Sequence, residues 1–344
     1  MKNGMMTVVC RKPGELAVEE RPLPERGANE VLLGIRRIGI CGTDYHIYEG
    51  LHPFLQYPRI MGHELSAEIL ESPSGSRFRP GESVIVIPYL SCGSCVACRR
   101  GKTNCCTTLK CLGVHCDGGM AERFVLPEQN LYPTEGLSLD QAAMVEFLAI
   151  GAHAVRRSRL ADGDRALVVG AGPIGIGTAL FARLAGAEVT LMDRAPAVLD
   201  LAGQITGAAS TILADADAAA RIADLTGDEM FDMVFDATGN AAAMETSFDY
   251  AASGGAYVLV GVVKDRIAFS DPEFHRRELT LFASRNATRE DFDSVVAAMR
   301  AGKIPTDQLN THSCTLTELP AAMPGWAHDR AGLVKAMVRL DAAA

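Results

Sequence analysis

The run Arg165-Ala-Leu-Val-Val-Gly-Ala-Gly-Pro-Ile-Gly175 constrains the fold of this chain more than any other segment. An apolar stretch enters a G-x-G-x-x-G spacing at Gly170, Gly172 and Gly175. A helix-like segment follows over Ile176–Ala185, and a second apolar run, Glu188–Met192, ends at Asp193. A strand, glycine turn, helix and second strand form a βαβ unit, whose strands lie parallel in one sheet. Each part has a job in holding a dinucleotide. Gly170 makes the tight turn, Gly172 lets the backbone approach a pyrophosphate, and Gly175 lets helix and strand pack closely. The helix start at Pro173 and Ile174 offers its N-terminus to the phosphate charge. Asp193, 18 residues past Gly175, can accept from the adenosine ribose hydroxyls and would repel a 2′-phosphate. NAD is therefore expected in preference to NADP, with Arg194 leaving some tolerance for the latter.

More strands follow. Phe231–Asp236, Gly255–Gly261 and Glu278–Ala283 are apolar runs, and helical periodicity fills gaps such as Ala241–Ala252. The alanine-rich run Ala214–Ala220 predicts a helix start or a loop. Strands alternating with helices predict an α/β, doubly wound parallel sheet, placed at residues 151–283. Residues 1–130 are short strands broken by Gly and Pro, which predicts a β-rich, barrel-like domain.

Four cysteines mark a second site. Cys92, Cys95 and Cys98 come at steps of three, and Cys106 follows with enough slack for one loop to gather all four sulfurs. Four thiolates hold zinc tetrahedrally with no open position, so this zinc is structural. A redox pair needs only two cysteines, and a disulfide framework suits small secreted chains. Cys105 adjoins Cys106, and the spacing favours Cys106. Cys10, Cys105, Cys111, Cys116 and Cys314 have no assigned role and are expected to be buried or solvated structural residues.

At 344 residues the chain is long enough for two domains. Its net charge of −9 opposes nucleic acid as a partner, because phosphate binding needs a basic footprint. No signal peptide is expected from Met1–Arg11, and the longest apolar stretch, Ala166–Met192, carries Arg183 and Glu188 and many glycines, so no membrane span is expected. Ten cysteines without a secretion signal point to a reducing cytoplasm.

A third constellation lies in the β-rich part. Gly39-Ile-Cys41-Gly-Thr43-Asp44-Tyr-His46 precedes Gly62-His63-Glu64, and Glu146 comes just before the nucleotide unit. Cys, His and carboxylate together form the mixed ligand set of catalytic zinc, which keeps one position open.

With G-I-C-G-T-D-Y-H at 39–46, G-H-E at 62–64, the four-cysteine loop, G-V-H-C-D-G-G at 113–119, V-E at 145–146 and G-A-G-P-I-G at 170–175, the chain resembles the zinc-containing medium-chain alcohol and polyol dehydrogenases over nearly its whole length. The branch most resembled is that of bacterial L-galactonate and L-gulonate 5-dehydrogenases. That likeness rests on T-N-C-C at 103–106, A-H-A-V-R-R at 152–157, S-D-P-E-F-H at 270–275 and S-R-N-A-T at 284–288. The resemblance implies a GroES-like catalytic domain at 1–150 carrying both zinc sites, an inserted Rossmann NAD-binding domain at 151–283, and a return segment at 284–344. It implies Cys41 and His63 as zinc ligands, Glu64 as a direct or exchangeable ligand, and Glu146 as a ligand directly or through water. Asp44 would hydrogen-bond a ligating histidine. Thr43 would take the substrate hydroxyl proton and pass it by way of the nicotinamide ribose to His46. The chain departs from many relatives at Phe147, where proline is common, and at Arg123, where an aromatic is common.

The expected reaction is NAD-linked oxidation of a secondary alcohol on a small sugar acid, at C5, to a keto acid. A sugar acid's carboxylate calls for a cation, and the planar fork of arginine suits it. Arg285 with Asn286 is the candidate, and His115 is a second substrate-side residue. Polyol (sorbitol-type) dehydrogenase and L-threonine 3-dehydrogenase are the rival activities. A non-catalytic NAD-binding sensor is opposed by the retained ligand and relay residues, and a nucleic-acid-binding zinc finger by the acidic charge. The family implies a homo-oligomer, a tetramer or a dimer.

Overall fold

The strand Arg165–Val169 is apolar throughout after its first residue, and everything after Arg165 is buried. Such a strand belongs in the middle of a sheet covered on both faces. It lies there. The structure, a computed structural model, describes residues 4–52, 55–330 and 332–340. Six parallel strands run in the order Ser210–Leu213, Glu188–Asp193, Arg165–Val169, Phe231–Asp236, Ala251–Leu259, Thr280–Ala283. Numbered along the chain this is 3-2-1-4-5-6, the doubly wound order that binds dinucleotides where the order reverses. The helix Pro173–Leu184 begins with Gly172 as its N-cap, and Asp193 ends the next strand.

Gly170 and Gly175 fix this start. Gly170 turns with φ +94°. A Cβ at Gly175 would lie 1.7 Å from the Gly170 carbonyl oxygen, a backbone atom that cannot step aside.

Two expected elements differ. The helical run from Ala241 stops at Ser247, and a short turn at Phe248–Tyr250 leads into a strand that begins at Ala251. Alanine joins either element, and the choice falls to Phe248, which stacks on Tyr257 at 4.1 Å in the buried core of the sheet. Glu278 was expected in the last strand. Its φ of +49° closes the turn after the helix Asp271–Arg276, so the strand starts at Thr280.

The other unit is β-rich, as expected. A seven-stranded mixed sheet is centred on Glu30–Ile40, which pairs with Glu64–Glu71, Arg123–Pro127 and, from the far end of the chain, Lys335–Arg339. A hairpin of Gly4–Lys12 and Glu15–Pro22 accompanies it. Its core gathers Leu33, Ile35, Ile38, Leu65, Ile69 and Val338.

The chain divides into Met1–Glu146 with Val296–Ala344, and Phe147–Val295. The return point therefore comes later than 283/284. The start of the helix Arg289–Arg300 is tied to the sheet unit, because Asp291 is bonded to His153 and Arg156. No helix among the described residues is long and apolar enough to cross a membrane.

Gly175→Ala is expected to force the glycine turn apart, costing about 2 kcal/mol of stability and weakening NADH binding. Denaturant unfolding and fluorescence titration of NADH check both.

Candidate metal and nucleotide sites

The four cysteines of the loop come together. The ligand atoms of Cys92, Cys95, Cys98 and Cys106 all lie within 4.8 Å of one another, with Cys92 and Cys98 sulfurs 4.0 Å apart and Cys95 and Cys98 3.5 Å apart. The short turn Thr103–Cys105 leaves Cys105 exposed and turns Cys106 inward. Backbone N–H groups are aimed at the sulfurs: Cys95 N donates to Cys92 Sγ and Cys92 N to Cys106 Sγ, each at 3.3 Å. Hydrogen bonds from Ser94 and Cys95 pull the Cys92 thiol down to about 5, and bonds from Cys98 and Thr107 bring Cys95 to about 7. Burial pushes Cys98 up to about 11. Cys92 is thus largely thiolate at neutral pH and Cys95 partly so, and a bound cation would draw the proton from Cys98. This donor set fits a tetrahedral zinc.

The second cluster is built from distant parts of one sheet unit. Cys41 is the N-cap of the helix Gly42–Tyr48, and His63 and Glu64 stand where the strand Glu64–Glu71 begins. Their ligand atoms lie within 4.8 Å of one another. Asp44 ties the two loops together. It accepts from Cys41 N at 2.9 Å and from Gly62 N at 3.4 Å. It was expected to hydrogen-bond a ligating histidine, but both its oxygens are used on backbone, and His63 Nδ1 has no hydrogen-bond partner.

The electrostatics call for a cation. Burial opposes charge on His63, yet the Cys41 sulfur and the Asp44 and Glu146 carboxylates hold its pKa well above the usual histidine range. Burial raises the carboxyl pKa of Asp44, and of Glu146 as well. Glu64 is fully buried and gives one oxygen to Lys335 Nζ at 2.7 Å, while Oε2 has no partner. An unpartnered imidazole nitrogen and an unpartnered carboxylate oxygen beside a thiol are what a zinc ion would satisfy. Glu146 stands outside the set of three and accepts from Tyr89 OH.

Thr43 and His46 occupy one face of the helix Gly42–Tyr48, three residues apart. Thr43 Oγ1 lies 3.8 Å from Cys41 Sγ, and His46 is exposed.

At the nucleotide turn, space around Gly172 is open: a Cβ there would meet nothing within 4 Å. This leaves room for a phosphate against the backbone of the helix start. Asp193 accepts from Ala171 N at 2.8 Å and from Ala195 N at 2.9 Å, which fixes the carboxylate at the strand end. An ionised carboxylate accepts about four bonds, so two places are left for ribose hydroxyls. Arg194 beside it is exposed. Arg285 is exposed at the carboxyl end of the strand Thr280–Ala283, and Asn286 next to it takes φ +51°. His115 is exposed and accepts from Cys111 N through Nδ1 at 3.1 Å, so any substrate contact falls to its other nitrogen.

Residues 27–136 match the alcohol dehydrogenase GroES-like domain, and residues 173–301 match the zinc-binding dehydrogenase family. The chain is 42% identical over 312 residues to L-galactonate-5-dehydrogenase of Escherichia coli K12, covering 90% of this chain and 91% of that one. The chain belongs to the zinc-containing medium-chain alcohol dehydrogenases.

Solved structures of this family agree in fold. The alcohol dehydrogenase RspB of Escherichia coli CFT073, complexed with NADH, superposes with a TM-score of 0.92 at 30% identity, covering 98% of this chain and all of that one. A zinc-binding dehydrogenase of Sinorhizobium meliloti 1021 bound to NADP gives 0.89 at 28% identity, with coverage of 98% and 100%.

Two residues of the dehydrogenase site were not foreseen from sequence. Lys335, 1% exposed, is the cation beside Glu64 and also donates to Ile40 O at 3.2 Å. Its signal was a lone lysine at the head of the apolar run Lys335-Ala-Met-Val, since a buried lysine needs a partner. Burial works against its charge, and the Glu64 carboxylate outweighs it and raises its pKa. Tyr89, which holds Glu146, left no signal; burial, then the Glu146 charge, lifts its phenol well above the usual range.

Cys95→Ala is expected to remove one zinc per chain and about 3 kcal/mol of stability, roughly 5 °C in Tm. Cys41→Ala should remove the other zinc and nearly all turnover while leaving NADH binding intact. Metal analysis, calorimetry and NADH fluorescence separate the two outcomes. Lys335→Met would leave the Glu64 charge buried and unpaired, at a cost of about 3 kcal/mol in the zinc-free protein; urea unfolding with and without a chelator measures it.

Proposed function

We propose that this zinc-dependent alcohol dehydrogenase oxidises a secondary alcohol of a sugar acid, L-galactonate or L-gulonate, at C5, with NAD as acceptor, and binds two zinc ions per chain. What carries the reading is the 42% identity to L-galactonate-5-dehydrogenase over 90% of the chain. A 2-dehydro-3-deoxy-L-galactonate 5-dehydrogenase of Pseudoalteromonas atlantica, 31% identical over 92% of this chain, acts on a related acid.

When bound, zinc supplies Lewis acidity toward an alcohol oxygen and the nicotinamide accepts a hydride. The chain's own residues do the rest. Half-buried Cys41 and buried His63 and Glu64 provide the donors, and Asp44 fixes the loops that carry them. Glu146, held by Tyr89, lies near His63 and would be a ligand directly or through water, with Glu64 a direct or exchangeable one. Thr43 Oγ1 accepts the substrate hydroxyl proton. Its own proton would move on toward exposed His46, three residues along the same helix face, which would release it to solvent; the ribose of a bound nicotinamide would bridge the two. Asp193 receives the adenosine ribose and disfavours a 2′-phosphate; Arg194 tempers that preference. Arg285, with Asn286, receives the substrate carboxylate, and His115 is a second substrate-side group. The working protein is a homotetramer or dimer in the cytoplasm.

NADH formation at 340 nm should be strong for L-galactonate or L-gulonate with NAD, at least about tenfold weaker with NADP, and weak for sorbitol and L-threonine. Turnover confined to polyols or L-threonine would remove the sugar-acid reading and keep the dehydrogenase. A ratio near one for the two cofactors would remove the role given to Asp193.

A further inference from the structure

Of the sequence segments that mark the sugar-acid likeness, 152–157 has no place in the chemistry above, and 284–288 enters it only through Arg285 and Asn286. In the structure they are one device. The helix Leu139–Ser158 presents His153, Arg156 and Arg157 to the segment that follows the last strand of the parallel sheet. Arg157 Nε donates to Ala283 O, the last residue of that strand, at 2.7 Å. Five residues on, Arg156 donates to Thr288 Oγ1 at 3.0 Å. Consecutive arginines thus pin both ends of the turn that carries Arg285 and Asn286.

The second anchor is centred on Asp291, 1% exposed. Its carboxylate receives Arg156 Nε at 2.7 Å and the Arg156 terminal nitrogen at 3.1 Å. It also receives Thr288 N at 2.8 Å and Thr288 Oγ1 at 2.9 Å, and it lies 2.8 Å from His153 Nδ1. Burial works against the charge of Asp291, but the bonds from His153, Arg156 and Thr288 hold its carboxyl well below the usual range. Asp291 and His153 are buried at its centre, while Arg156 reaches it from the surface, and so many bonds on one carboxylate restrict its geometry. Between the anchors the backbone is constrained as well. Asn286 sits in the left-handed region at φ +51°, a conformation that persists only where the surroundings impose it, and Ala287 is buried. Ser284 Oγ is buried with no hydrogen-bond partner.

The turn stands at the carboxyl end of a parallel strand, the end of such sheets where ligands bind. We propose that the His153–Arg156–Asp291–Thr288 clamp is the positioning element of the sugar-acid subsite: it sets the 284–288 turn so that Arg285 meets the substrate carboxylate in a fixed, bidentate orientation. The inference rests on the reading of Arg285 as the carboxylate receiver. Asp291 and Thr288 act through that turn and touch no reacting atom. A carboxylate fork is directional, so a loosened turn weakens substrate binding before it affects hydride transfer.

The test uses the full-length, zinc-loaded protein with L-galactonate and NAD. Thr288→Val removes one hydroxyl donor, and Asp291→Asn removes the charge at nearly constant shape. Each should raise KM for L-galactonate, Asp291→Asn by about tenfold and Thr288→Val by less, with kcat and the NADH dissociation constant within about twofold of the parent. Arg285→Ala should raise KM at least as far, and adding Thr288→Val to it should cause no further rise. A clamp that is merely structural would lower Tm, weaken NADH binding, and add its loss to that of Arg285→Ala. That pattern, or an unchanged KM in both clamp variants, overturns the inference and leaves Arg285 as the receiver. An unchanged KM in Arg285→Ala, or no aldonate turnover in the parent, overturns the substrate reading and the inference together. Should Asp291→Asn fail to fold, Thr288→Val and its double with Arg285→Ala still decide.

Discussion

A buried concentration of acidic groups governs the β-rich unit. Asp44, Glu64 and Glu146 are brought together beside Cys41, and among the described residues His63 and Lys335 oppose them. Carboxylates do not enter a protein interior without compensation, because each lost hydration shell costs several kcal/mol. The strands are therefore arranged around this requirement. Glu30–Ile40 sits between the strand that starts at Glu64 and the strand that starts at Lys335, and its last residue offers its carbonyl to the lysine. One lysine does not balance the set, and the unpartnered His63 Nδ1 and Glu64 Oε2 mark where a further cation belongs. A cation bound there would relieve this charge and so stabilise the sheet that holds it.

The parallel sheet unit solves a different problem. Its strands end on one edge, and three of the loops there are fixed by a carboxylate. Asp193 holds the glycine turn through Ala171 N, and Asp236 receives Thr238 N at 2.9 Å and Thr238 Oγ1 at 2.7 Å. Asp291 does the same for the turn after the last strand. An acceptor carboxylate beside these loops makes them behave as rigid parts of the sheet, the condition under which backbone N–H groups can serve as a ligand cradle.

Elements with a single dominant signal were legible from sequence. Arg165–Val169 is a continuous apolar run, and its glycine spacing has few alternatives, so strand, turn, helix and Asp193 fall where the pattern puts them. The cysteine loop is similar, because four equal ligands at short spacing leave little choice but the one between Cys105 and Cys106. What was not legible depends on partners far away in sequence. Asp44 was expected to serve a histidine, but its distance from two backbone amides is a property of how two loops meet. Lys335 is remote from every motif, and Tyr89 looks like any core aromatic. The alanines at 251 and 252 fit a helix or a strand, and only the stacking of Phe248 on Tyr257 decides. The return point moved for a similar reason: Asp291 belongs to the unit that supplies its donors, whatever its place along the chain.

The pairing of Glu64 with Lys335 spans 271 positions. During synthesis the first of these is made long before the second. Until the late strand arrives, the sheet has an open slot beside Glu30–Ile40 and a carboxylate that must remain hydrated. The β-rich unit therefore cannot close its core as a growing N-terminal piece, and the intervening sheet unit, continuous from Phe147 to Val295, has the opportunity to fold first. The same separation limits dissection. A fragment ending at Glu146 would hold Cys41, His63, Glu64 and the whole cysteine loop, yet it would lack Lys335, whose ammonium pairs with buried Glu64, and would behave as an unfinished half.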